Sequence, residues 1–136
     1  MSIVVGYVPT REGRAALRRA AEECELRDSA LIVINSNRGG AAFDPNDTAR
    51  FEAELVDVQE RLRAGGRHVE VRQLVRGNDP AEDLIAVAEE SNAECIVIGL
   101  RRRTPVGKLI LGSNAQRILL DASCPVLAVK ASSGDD

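Results

Sequence analysis

Hydrophobic residues along the chain fall into two alternating patterns. Ser2–Tyr7, Ala30–Ile34 and Cys95–Ile98 are short, nearly unbroken apolar runs rich in Val and Ile, as expected of strands buried on both faces of a parallel sheet. Between them the apolar positions recur at helical spacing. Leu17, Ala20, Ala21 and Cys24 share one face of a first helix, with Arg18, Arg19, Glu22 and Glu23 turned to water. Thr10 caps that helix, which ends near Arg27 and Asp28. Phe51, Leu55, Val58 and Leu62 mark a second helix, with Asp47 as its predicted cap and Gly65-Gly66 as its stop. His68–Val75 alternates, with Val69, Val71 and Gln73 opposed to Glu70, Arg72 and Leu74, and reads as an outer, half-exposed strand.

A third helix begins at Asp79-Pro80-Ala81-Glu82, where Asp79 is the N-cap, Pro80 the first helical residue and Glu82 the third. Its core face is Leu84, Ile85, Val87 and Ala88. A fourth helix spans Ser113–Leu120 and a last strand Pro125–Lys130. The remaining stretches are Asn35–Asn46, with Gly39-Gly40 and Asp44-Pro45, and Ser132–Asp136, expected to be a disordered tail. The element order β-α-β-α-β-α-β-α-β predicts one α/β domain over 1–131, a three-layer, doubly wound sheet of five parallel strands with helices on both faces.

Composition narrows the function. The 136 residues are 44% hydrophobic and 29% charged, with a net charge of −3, which suits a folded globular domain. One Tyr, two Phe and no Trp leave few stacking platforms for single-stranded nucleic acid. Cys24, Cys95 and Cys124 show no ligand spacing, and His68 is the only histidine, so buried free thiols are expected and a metal cluster is not. With no signal peptide pattern and no apolar run of ~18 residues, the expectation is a cytoplasmic protein without membrane or nucleic-acid partners.

Chemistry concentrates after the fourth strand, in Gly99-Leu100-Arg101-Arg102-Arg103-Thr104 and on to Gly112-Ser113-Asn114. Gly99 permits a close backbone approach or a positive φ, the arginines add donors and charge, and Ser113 reads as the N-cap of a helix whose free N–H groups attract anions. The same order of residues also serves simply to turn a corner, and both readings stay open at this level.

Gly99-x2-Arg102-x9-Gly112-Ser113 resembles the universal stress protein family, whose nucleotide-binding members carry Gly-x2-Gly-x9-Gly-Ser/Thr. Ala115-Gln116-Arg117-Ile118-Leu119 and Cys124–Val129 resemble that family's ending. The resemblance implies strand order 3-2-1-4-5, with a switch point between strands one and four where ligands bind. It also implies ATP or another adenine nucleotide as ligand, with the need for Mg²⁺ open, and a phosphate side formed by Gly99, Arg101, Arg102, Arg103, Gly112, Ser113 and Asn114. The nucleoside side would be Tyr7, Val8, Pro9 and Ser36.

Two positions depart from the pattern. Val8 stands where nucleotide-binding members have a sugar-binding aspartate, and Arg102 replaces the second glycine, as a clamp or as a plug. The alternative is therefore a homologue that binds no nucleotide and acts through protein contacts. Neither a Gly-x-Ser-x-Gly elbow nor a P-loop lysine motif is present, so no enzymatic turnover is expected. Val126, Leu127, Ala128 and Val129 form an apolar strand left on an edge by the implied order. They are expected to pair with a second copy, as the family commonly does.

Overall fold

The computed structural model describes residues 1–36, 44–74, 79–100 and 111–131. The strands are β1 (Ser2–Gly6), β2 (Ala30–Ser36), β3 (Val69–Leu74), β4 (Cys95–Leu100) and β5 (Val126–Lys130), and the helices are α1 (Arg11–Arg27), α2 (Pro45–Ala64), α3 (Pro80–Glu90) and α4 (Ser113–Asp121). The strands form one parallel sheet in the order β3-β2-β1-β4-β5, so the chain reverses direction of growth between β1 and β4. The basic run Arg101–Arg103, the loop glycines Gly39-Gly40 and the tail after Ala131 lie outside the described residues.

Side-chain alternation sends each central strand's residues into two separate cores. Ile3, Val5, Leu31, Val33 and Val97 meet α1 and α2 through Leu17, Ala20, Phe51 and Leu62. Val4, Ile32, Ile34, Ile96 and Ile98 meet α3 and α4 through Leu84, Val87 and Ile118. Both faces of the sheet are thus covered, which is why these strands read as unbroken apolar runs. Phe51 is fully buried and stands in for the aromatics the core otherwise lacks.

Local chemistry explains most helix ends. Thr10 accepts from the Gly13 N–H at 3.1 Å, and α1 closes on Asp28, which is left-handed at φ 54° and donates its N–H to the Cys24 carbonyl. Asp79 caps α3 through the Ala81 N–H at 3.2 Å. Three expectations need correction. The second helix is capped by Asp44, not Asp47: its carboxylate accepts from the Asn46 N–H at 2.7 Å, and Pro45 is the first helical residue. Proline's fixed φ starts the helix there, and Asp47 faces Arg14 at 3.8 Å instead. Glu23 is 6% exposed rather than solvated, because Arg19 and Arg27 both reach it at 3.0 Å and Arg27 continues to Glu94 at 3.5 Å. Val71 is exposed although Val69 is buried, since β3 is an edge strand with a neighbour on one side only.

All described helices lack the length and apolarity needed to cross a membrane. Cys24 and Cys95 are buried free thiols, and Cys124 is half-buried. Burial pushes the Cys24 thiol up to about 12, with Cys95 and Glu94 nearby adding to it.

Candidate functional site

The switch point opens into a cavity of about 240 Å³, just below the ~300–1,000 Å³ usual for small-molecule sites. Its floor is the carboxyl end of β1 (Val5, Gly6) and of β4 (Val97 to Leu100). Its walls are the first two turns of three helices, with Glu12, Gly13 and Ala16 from α1, Pro80, Ala81 and Leu84 from α3, and Asn114, Ala115 and Ile118 from α4, together with Gly112 just before it. Three helices that begin beside one cavity place their positive ends around it.

Of the residues expected at the phosphate side, Gly99, Gly112 and Asn114 line the cavity. Ser113 does not cap α4. The N-cap is Gly112, whose carbonyl accepts from the Gln116 N–H at 3.0 Å, and which brings no side-chain cap bond to the helix end. Ser113 is therefore the first helical residue. Arg101, Arg102 and Arg103 fall outside the described residues.

Gly99 has a reason the sequence did not suggest. A Cβ there would stand 2.3 Å from the Glu12 carbonyl oxygen and 2.7 Å from its carbon, so the strand end packs directly on the backbone of α1. The turn before α1 is tightened the same way, since a Cβ on Gly13 would stand 1.6 Å from the Val8 carbonyl oxygen. These two glycines let β1, the first turn of α1 and β4 interlock; the close approach at Gly99 is to protein.

Of Tyr7, Val8 and Pro9 on the nucleoside side, Val8 lines the cavity, and it is 41% exposed. Tyr7 turns away: its ring lies 4.3 Å from that of Phe51, and its hydroxyl donates to Glu52 at 3.3 Å. Burial, and then the Glu52 carboxylate, raises the Tyr7 pKa. Pro9 is buried outside the cavity lining, and Ser36 ends β2 in register with Leu74. Sequence reasoning missed Glu12, Leu84, Ala115 and Ile118. Glu12 was findable once the strand order was known, because it sits in the first turn of the helix that leaves the switch point.

Arg117 closes the outer side of the α3–α4 wall. It donates to Asp79 at 3.1 Å and to Glu82 at 2.5 Å. Asp79 and Glu82 are thus both paired with one guanidinium. No group of three or more His, Cys, Asp and Glu is disposed to hold a metal ion among the described residues.

A parallel 3-2-1-4-5 sheet with a crevice at its switch point makes this a doubly wound α/β protein. A model of the universal stress protein family matches residues 1–130. Over 130 residues the chain is 48% identical to a universal stress protein of Mycolicibacterium smegmatis, covering 94% of this chain and 96% of that one. Among solved structures, a universal stress protein from Archaeoglobus fulgidus matches with a TM-score of 0.73 at 37% identity, over 96% of this chain and 98% of that one. A structure of the Archaeoglobus fulgidus protein in complex with dAMP matches with a TM-score of 0.69 at 33% identity, over the same shares. The chain belongs to the universal stress protein family.

Proposed function

We propose that this protein is a regulatory adenine-nucleotide binder that holds phosphates at the start of α4 and turns ATP over slowly or not at all. The observation that carries this reading is the N-terminus of α4, whose glycine cap brings no side-chain hydrogen bond, with Gly112 and Asn114 on the wall of a largely apolar cavity that also includes Glu12. A helix N-terminus beside a largely apolar slot suits an anion attached to a flat, apolar body. The relative of 33% identity bound to dAMP supports the same class of ligand.

Calorimetric titration tests it. ATP is expected to bind more tightly than AMP, adenosine negligibly, and affinity to fall with added salt because the phosphate side is open to screening. Adenosine binding as well as ATP, independent of salt, removes the phosphate assignment. Hydrolysis at ~1 s⁻¹ or faster, an ordinary enzymatic rate, removes the regulatory one.

The second reading, a homologue that works through protein contacts alone, draws on Val8, which brings no acceptor to the nucleoside side. It predicts no shift in melting temperature with any adenine nucleotide. Under either reading we propose a homodimer through β5. That strand has one neighbour in the sheet, and Leu119 and Leu120 of α4, 40% and 77% exposed, add to the apolar surface.

A further inference from the structure

The described wall of the cavity is chemically lopsided. Val5, Val8, Leu84, Val97, Ile98 and Leu100 are apolar, and only Glu12 and Asn114 among the described lining residues have polar side chains. The two stand on different helices, Asn114 in the first turn of α4 and Glu12 in the first turn of α1. A carboxylate only accepts hydrogen bonds, whereas a helix N-terminus only donates them. A cavity built this way sorts the two ends of a ligand: acceptor oxygens belong at α4 and hydroxyl donors at Glu12.

Glu12 is also held in place. Its carbonyl oxygen lies 2.3 Å, and its Cβ 3.0 Å, from where a Cβ on Gly99 would stand. Packing against a glycine at the end of β4 leaves the first turn of α1 little room to withdraw. Val8, in the turn before α1, has no polar side-chain atom, and its carbonyl already accepts from the Thr10 N–H at 2.8 Å.

We propose that Glu12 is the specificity-determining residue that reads the sugar hydroxyls of the bound nucleotide, a task that Val8 cannot perform. The assignment rests on the nucleotide reading above. A hydrogen bond to a charged acceptor predicts that the protein binds ATP about 10- to 100-fold more tightly than 2′,3′-dideoxy-ATP. In Glu12→Ala that ratio falls to within about 3-fold, because dideoxy-ATP has no sugar hydroxyl to lose and ATP loses its hydroxyl contact. Glu12→Gln, which retains a neutral acceptor, lies between the two.

The experiment is isothermal titration of both nucleotides into the full chain and both variants, with the melting temperature of each unliganded protein measured in parallel. A ratio near one in the unaltered protein overturns the assignment without reference to any variant. A ratio that persists in a folded Glu12→Ala overturns it equally. If the unaltered protein binds neither nucleotide, the nucleotide reading itself falls and takes this assignment with it.

Discussion

Gly99 shows how a single residue can satisfy two explanations in sequence and one in structure. Read along the chain, it belongs to a phosphate loop. In the fold, its missing Cβ is occupied by the backbone of Glu12. Gly99→Ala must push α1 off the sheet or bend β4, and overpacking of this kind costs about 1–3 kcal/mol. Urea denaturation should show that loss without any ligand present; unchanged stability would return Gly99 to a purely ligand-facing role. Cys24 gives a second prediction at this scale. Its thiol is fully buried and its pKa is pushed up to about 12, against ~8.5 when unfolded. The neutral thiol favours the folded state fully below ~8.5, and that contribution drains away as pH climbs from there toward 12. Cys24→Ala should flatten the alkaline limb of the stability–pH curve. At pH 8 a thiol-specific reagent should modify half-buried Cys124 well before Cys24.

Among the elements, α4 depends most on its neighbours. It buries one residue, Ile118, and packs chiefly on α3, with Arg117 tying it to Asp79 and Glu82. Those groups are partly exposed, so Arg117→Ala should lower stability by only about 0.5–1 kcal/mol. Its effect on ligand binding should be larger than that loss suggests, because the brace sets where the first turn of α4 stands beside the cavity. The measurement is a comparison of the change in ATP affinity with the change in unfolding free energy. Asp79→Asn, which keeps a good cap but drops the charge, should reproduce the binding defect more weakly. Equal affinity in both variants would show that the brace is ornamental to the site. The partners lie 38 and 35 residues apart in sequence, which is why no local pattern announced them.

At the scale of the whole molecule, β5 stands at the end of the sheet beside β4. Leu127 and Val129 pack against the core on the α1 side, and Val126 packs against the other core. A charge at Leu127 or Val126 would therefore disturb the fold together with any interface. The exposed apolar positions are Ala128 in β5 and Leu119 and Leu120 in α4. Light scattering at micromolar concentration should give about twice the chain mass of 14.6 kDa, since an apolar edge strand favours pairing. Ala128→Asp combined with Leu120→Glu should return it to one chain mass with a native circular dichroism spectrum. A monomer in the unaltered protein, or a dimer that tolerates both charges, would count against pairing through this edge.

The sequence by itself determined the elements and their kind. Unbroken apolar runs require strands with two covered faces, helical spacing requires helices with one, and Thr10 and Asp79 mark where two of those helices begin, because each signal is carried by residues a few positions apart. It also determined that a basic, glycine-bounded segment follows the fourth strand, and through its spacing which family the chain resembles. Only the tertiary structure decided which segments meet. Asp44 displaced Asp47 as a cap because a neighbouring proline started the helix earlier, and Tyr7 left the site for Phe51 because side chains alternate across the sheet. Glu12 entered the cavity because two glycines let α1 press against β1 and β4. Local patterns fix backbone conformation through short-range sterics and hydrogen bonds; a site is made by residues far apart in the chain, and their meeting is fixed by which faces the sheet and helices bury.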